Sequence, residues 1–84
     1  MRIVLEVTFR MGGVSYRSYR WEDDVLVFEF ERLGDAFIQV LSTRKVEEEV
    51  EKRPSAVIVE LKTKEGGKIF EAREEGGIYR AMEP

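Results

Sequence analysis

Cysteine and histidine, two residue types that carry much of protein chemistry, are absent from this chain of 84 residues. Without cysteine it has no disulfide framework, no thiolate nucleophile and no Cys-based zinc or iron–sulfur site. Without histidine it lacks the commonest general base, the commonest transition-metal ligand and any Ser-His or Cys-His dyad. We therefore expect no metal site and no cofactor, and any catalysis would rest on Asp, Glu, Lys, Arg, Tyr, Ser or Thr.

Long hydrophobic runs are also missing, because the longest apolar stretches are four residues. A membrane-spanning helix needs roughly 20 apolar residues, and no basic region followed by an apolar signal core opens the sequence. We therefore expect a cytoplasmic protein without membrane contact. Asparagine is absent and Gln39 is the only glutamine, while Glu and Arg are abundant. This composition is typical of a thermophilic source.

The length and composition favour one small globular domain spanning residues 1–84. Hydrophobic residues make up 43% of the chain and aromatic residues 11%, which is enough to build a core although 37% of the residues are charged. A chain this short does not divide into two cores.

Apolar and polar residues alternate in two N-terminal segments, Arg2 to Arg10 and Val25 to Glu31, and Val14 to Trp21 between them is rich in aromatic and β-branched residues. This period of two is typical of half-buried β-strands. The pair Gly12-Gly13 and the acidic group Glu22-Asp23-Asp24 suit the tight turns between them. We therefore predict an antiparallel meander of three strands.

The next segment is ambiguous, because one straight helix from Ala36 would place Phe37 and Val50 on nearly opposite faces. It is either a strand from Ala36 to Thr43 followed by a short helix, or a helix that changes its buried face. We favour the strand, because the segment is rich in strand formers. The pairs Arg44/Glu48 and Lys45/Glu49 have the i,i+4 spacing of helical ion pairs, so we predict a helix over residues 44–53, ended by Pro54.

Further strands are expected in the C-terminal part of the chain. Ala56 to Thr63 is apolar on both faces and is the best candidate for a central strand. Ile69 to Arg73 and Ile78 to Met82 are shorter strands that follow the glycine pairs at 66–67 and 76–77. The predicted fold class is α+β, mostly β: an antiparallel β-meander of about six or seven short strands with one short helix near residues 44–53.

One segment has the composition of a nucleic-acid-binding strand. Arginines neutralise phosphates and aromatic rings stack on unpaired bases, and residues 10–21 contain both with no acidic residue. The candidate residues are Arg10, Arg17, Tyr19, Arg20 and Trp21. Strict alternation, however, puts Tyr16 and Arg20 on one face and Arg17, Tyr19 and Trp21 on the other. The net charge of −3 also opposes binding to a polyanion.

The acidic residues give only weak signals for chemistry. The clusters at 22–24, 47–49 and 74–75 lack the spacing of a calcium loop, and none of the Gly-Gly pairs precedes a helix as a phosphate-binding loop requires. Glu29 and Glu60 are the acids to follow, because both lie in strongly apolar strands. Outward-facing placement explains each more simply than catalysis.

Several apolar residues fall on sheet faces that we expect to point outward: Val4, Val25, Val27, Ile58 and Tyr79. A short chain with a sheet apolar on both sides needs a cover for the second side. We therefore predict a non-catalytic protein-interaction or assembly module that forms a homodimer. The alternative is a small nucleic-acid-binding β-domain that uses residues 10–21, and an enzyme is the third possibility.

Overall fold

The computed structural model describes residues 1–32, 34 and 40–84, and all of its regular elements are β-strands. The strands are β1 (Arg2–Phe9), β2 (Val14–Glu22), β3 (Val25–Arg32), β4 (Ser42–Glu49), β5 (Ala56–Thr63), β6 (Gly66–Glu75) and β7 (Ile78–Met82). The described part of the chain contains no helix. The predicted α+β class is therefore wrong, and the protein is all-β over these residues.

The strands form one mixed sheet in the order β2-β3-β5-β6-β7-β1-β4. The pairs β3–β5 and β1–β7 are parallel and the other neighbours are antiparallel. β6 pairs with β5 through Ala72 and then with β7 from Arg73 onward, so the sheet curls into a nearly closed barrel. We call β2, β3, β5 and the first part of β6 the first half-sheet. The last part of β6 with β7, β1 and β4 is the second half-sheet.

The predicted meander of β1, β2 and β3 is only partly correct. β2 and β3 form an antiparallel hairpin, but β1 pairs with β4 and β7 and not with β2. The segment containing Gly12 and Gly13 therefore passes from one half-sheet to the other. Alternation along a strand identifies its buried face but not its neighbour, and so the sequence-local pairing was wrong.

The predicted helix over residues 44–53 is also wrong, because Ser42–Glu49 is strand β4. A spacing of four residues is even, so residues at i and i+4 share a face of a strand as well as a face of a helix. Arg44, Val46 and Glu48 lie on the inner face opposite Val7, Leu5 and Ile3. The two charge pairs that indicated a helix therefore lie on the two faces of an edge strand: Arg44 and Glu48 on the inner face, and Lys45 and Glu49 on the outer face.

The strand proposed from Ala36 to Thr43 falls largely outside the described residues, which omit 35–39. Val40 and Leu41 are described and belong to no strand, and both are exposed. Ser42 and Thr43 open β4.

The positions of the other predicted strands are confirmed, and their inner faces build the core. β5 is an interior strand between β3 and β6, as expected of the most apolar segment. The fully buried large side chains include Phe9, Phe28, Phe30, Ile3, Leu5, Leu26 and Leu61. The rings of Phe9 and Phe30 lie 5.2 Å apart and join the two half-sheets across the interior.

Candidate interaction surface

A β-bulge in β2 changes which of its aromatic side chains share a face. The register with β3 shifts between Tyr16 and Ser18, so Tyr16 lies opposite Phe30 while Tyr19 lies opposite Phe28. A bulge adds one residue to a strand and reverses the alternation beyond it. Tyr16, Tyr19 and Trp21 therefore all pack against the core, and the division of faces expected from strict alternation is wrong.

These three aromatic residues close the barrel where the sheet has no main-chain pairing. β2 and β4 are the first and last strands of the sheet order. The Tyr16 hydroxyl donates to Glu48 Oε2 at 2.7 Å, the Tyr19 hydroxyl to the Glu49 carbonyl at 3.3 Å, and Trp21 Nε1 to Glu51 Oε2 at 2.9 Å. Burial is the largest cause that raises the pKa of Tyr16, and the hydrogen bond to Glu48 is the second. The aromatic side chains of β2 thus have a structural role at this seam.

The arginines of the proposed nucleic-acid strand are engaged with acidic partners or main-chain oxygens. Arg10 Nε donates to the Glu83 carbonyl, and Arg17 lies 3.8 Å from a carboxylate oxygen of Glu31. The structure therefore does not bring the five candidate residues together on one face. Trp21 and Tyr19 face the seam, whereas Arg20 lies on the outer face of the first half-sheet.

Arg20 is the centre of an ion-pair network on this outer face. Its guanidinium lies 2.7 Å from Glu22, 3.3 Å from Glu29 and 2.9 Å from Glu60. Hydrogen bonds with Glu60 and Glu22 hold the pKa of Arg20 above its ordinary value. Lys62 adds a contact of 3.4 Å to Glu29. The network therefore neutralises part of the acidic charge carried by β3 and β5.

Three of the five predicted interface residues lie beside this network. Val25, Val27 and Ile58 occupy the outer face of β3 and β5, and with Ile69 of β6 they line a groove of about 430 Å³. Val27 is almost covered by its neighbours, whereas Ile69 is 69% exposed. Val4 lies on the outer face of β1, opposite Glu47, and Tyr79 packs against the core. Neither of these two contributes to the groove.

Sequence reasoning did not select Ile69, although a signal for it was present. Ile69 and Phe70 are adjacent in a strand, and successive side chains of a strand point to opposite faces. Phe70 packs against the core, so Ile69 must point outward. The pairing of Ile69 with Glu60 then places it at the edge of the Arg20 network.

Glu29 and Glu60 are direct neighbours on the parallel strands β3 and β5. Each side chain is 20% exposed, and each carboxylate contacts Arg20. Within residues 1–32, 34 and 40–84, no group of three or more potential ligands is arranged to hold a metal ion. Both acids are therefore engaged in ion pairing on the sheet surface.

Charge is segregated between the two ends of the barrel. We define each end by the outermost three residues of β1 to β6 and the described residues that connect them. The end at which β1, β3 and β5 finish also includes Glu83, and we call it the basic end. That basic end has six cationic side chains, Arg10, Arg32, Arg44, Lys62, Lys64 and Lys68, against Glu31, Glu65 and Glu83. The opposite, acidic end has nine carboxylates, Glu22, Asp23, Asp24, Glu47, Glu48, Glu49, Glu51, Glu74 and Glu75, against Arg2, Arg20, Lys52, Arg53 and Arg73.

Comparison of the chain with protein-family models, with curated proteins and with solved structures finds no match. The described residues also include no helix that is long and apolar enough to cross a membrane. The outer face of the first half-sheet and the charge of the two ends are therefore the features on which a functional argument can rest.

Proposed function

We propose that the protein is a non-catalytic assembly module that forms a homodimer through the outer face of its first half-sheet. The supporting observation is the exposed side chain of Ile69 beside the half-buried Val25 and Ile58, on a face that solvent-exposed sheets fill with polar side chains. The same groove is bordered by Arg20, Glu22, Asp23 and Glu60. Such exposed apolar surface with a polar border is typical of association sites. A standard interface covers about 800 Å² per partner, and one face of a barrel with 5317 Å² of surface can supply such an area.

The charge segregation favours an antiparallel pair of barrels. A two-fold axis perpendicular to the barrel axis brings the basic end of one copy beside the acidic end of the other. A parallel pair would instead bring like charges together at both ends, which is unfavourable. The apolar side chains of the groove supply the contact, and the charges of the ends determine its orientation.

Light scattering over a concentration series tests the proposal, because the monomer has a mass of 9.8 kDa and the dimer twice that mass. The variant Ile69→Glu introduces a buried charge into the proposed interface and is expected to leave only monomer. Met82→Glu is the matched control, because Met82 is 63% exposed on the second half-sheet. Circular dichroism establishes that both variants are folded.

The proposal is overturned if the wild-type protein remains at 9.8 kDa at the highest concentration. It is also overturned if Met82→Glu dissociates the dimer as much as Ile69→Glu does. The proposal expects the wild type and Met82→Glu to be dimers and Ile69→Glu to be a monomer.

A further inference from the structure

The edge of β4 that faces β2 presents main-chain groups with no neighbouring strand. Met1 and Val50 extend the ladder between β1 and β4 and exchange two hydrogen bonds, from the Val50 amide to the Met1 carbonyl at 2.7 Å and from the Met1 amino group to the Val50 carbonyl at 2.8 Å. The register then continues along the whole of β4 without a shift. In an antiparallel pair, such positions alternate with positions whose amide and carbonyl point away from the partner.

The alternate residues Thr43, Lys45, Glu47 and Glu49 therefore direct their main chain away from β1. One contact confirms this direction, because the Glu49 carbonyl accepts from the Tyr19 hydroxyl of β2 at 3.3 Å. Within the part of the chain that the structure describes, no main-chain hydrogen bond joins β2 to β4, and the amides and carbonyls of Thr43, Lys45 and Glu47 have no hydrogen-bond partner. We call these four residues the free edge of β4.

The exposed side chains of the free edge have an ordered charge. Lys45 is followed at the next two outward positions by Glu47 and Glu49. Arg2 lies 2.7 Å from Glu47, and the N-terminal ammonium group lies 3.1 Å from Glu49, but these two glutamates are 45% and 74% exposed. Exposed pairs are weak, and a carboxylate can accept from a second cation. A complementary strand therefore carries an acidic residue opposite Lys45 and basic residues opposite the two glutamates.

We propose that the free edge of β4 binds an extended segment of another protein as an added antiparallel strand. From its N-terminus, the segment has two basic residues and then one acidic residue at alternate positions, opposite Glu49, Glu47 and Lys45. Main-chain hydrogen bonds give this mode of recognition its affinity, and the alternate side chains give its specificity. A peptide amide replaces the Tyr19 hydroxyl as the donor to the Glu49 carbonyl.

A second copy of the chain fits this edge less well than a single segment does. In each barrel β2 lies across the seam from β4 and is joined to residues 48, 49 and 51 by Tyr16, Tyr19 and Trp21. Pairing of β4 with β4 would require two seams to open, whereas one extended segment requires only one. The inference does not rest on the proposed dimer, because the described residues that line the groove belong to the first half-sheet and to the turn after β2.

The probe for the test is a peptide with the sequence Thr-Lys-Val-Lys-Val-Glu-Val-Thr, blocked at both ends. The control peptide, Thr-Glu-Val-Lys-Val-Lys-Val-Thr, has the same composition and places like charges opposite Lys45 and Glu49. Amide hydrogen exchange is followed by NMR. We expect the probe to slow exchange of the Lys45 and Glu47 amides about tenfold or more, because both gain a hydrogen-bonded neighbour. The control peptide is expected to bind about tenfold more weakly, because two of its three charge pairs are repulsive.

Two tyrosine variants test the proposed exchange of partners at the Glu49 carbonyl. Tyr19→Phe removes the competing hydroxyl and keeps the ring on the core, so we expect the probe to bind several-fold more tightly. Tyr79→Phe is the matched control, because Tyr79 packs against the core from β7, and its affinity for the probe should equal that of the wild type. Equal affinities of the two variants would overturn this assignment.

Three further results would overturn the inference. One is unchanged exchange of the Lys45 and Glu47 amides in the presence of the probe, and another is a control peptide that binds as tightly as the probe. The third is slow exchange of both amides without peptide that depends on protein concentration, which would assign the edge to a second copy. The measurements are repeated in Ile69→Glu, so that loss of the groove dimer and loss of peptide binding are observed separately.

Discussion

The two ends of the barrel use charge in different ways. At the basic end, cationic side chains converge on the buried carboxylate of Glu83 and line a cavity. At the acidic end the charges lie on turns and strand ends and form exposed pairs, such as Lys52 with Asp24 and Arg2 with Glu47. The basic end is therefore organised around a buried structural ion pair. The acidic end supplies solvated charge that can orient a second copy.

Removal of one carboxylate from each end gives the largest expected contrast. Glu83→Ala leaves Arg32 buried without its anion, and we expect it to lower the free energy of unfolding by about 3–5 kcal/mol. Asp24→Ala breaks an exposed pair with Lys52 while its main-chain carbonyl still accepts from Ser55, so the expected loss is about 0–1 kcal/mol. Urea denaturation measures both. Equal losses would contradict the distinction between the ends.

Acid titration sharpens the same contrast. Burial alone would raise the pKa of Glu83, but hydrogen bonds from Lys68, Arg32 and the Arg10 amide outweigh it and lower the pKa to about 2. A carboxyl with a lowered pKa stabilises the folded state above its unfolded pKa, and this contribution is lost as the pH falls through about 4.5 toward 2. The contribution is on the order of 3 kcal/mol. The unfolding free energy is measured as a function of pH. Its slope against pH should be much smaller in Glu83→Gln than in the wild type, and an unchanged slope would contradict the assignment.

The seam between β2 and β4 runs between the two ends and should respond to high pH. Tyr16→Phe removes the hydroxyl that donates to Glu48, so we expect a loss of about 1 kcal/mol. Because the folded-state pKa of Tyr16 is raised, its contribution is complete below the unfolded pKa of about 10 and decreases as the pH rises above it. Absorbance titration of wild type and variant measures this difference. A Tyr16 that ionises near the unfolded pKa of about 10 would exclude the buried contact.

The smallest expected effect is a gain in stability at the acidic end. Asp23 has a φ of +56°, a conformation that glycine adopts more easily than aspartate. Asp23→Gly also removes one carboxylate from the excess at this end. We expect it to raise the unfolding free energy by about 0.5 kcal/mol, measured by thermal denaturation. A loss of stability would mean that the Asp23 side chain stabilises the turn.

The sequence was sufficient to locate six of the seven strands but not to establish all of their pairings. Alternation identified β1 and β3, and a run of residues that is apolar on both faces identified β5. β4 was missed because its inner face includes Arg44 and Glu48, whose polar groups are satisfied by Val14 and Tyr16 from a distant strand. Such partners are separated by about thirty residues in the chain, and local spacing does not reveal them.

The candidate surface was predictable to a similar degree. Val25, Val27 and Ile58 were identified because strand alternation gives the outer face directly. No glycine marks the bulge near Arg17, but the consecutive polar residues Arg17 and Ser18 interrupt the alternation there, a signal that the strict alternation assumed from the sequence overlooked. The bulge brings Tyr16 onto the inner face with Tyr19 and Trp21, and so it separates Tyr16 from Arg20, which lies on the outer face. The charge of the ends depends on strand direction and became visible only with the topology.

The antiparallel dimer can be tested most directly by measuring distances between spin labels, because the chain contains no cysteine. Ser55 and Glu65 flank the central strand β5 at the acidic and basic ends, and both are exposed. We predict that a mixture of labelled Ser55→Cys and Glu65→Cys proteins gives a shorter distance between copies than either variant alone. The account is contradicted if the distance between copies is shorter in a sample of one labelled variant than in the mixture. It is also contradicted if no coupling between copies is detected.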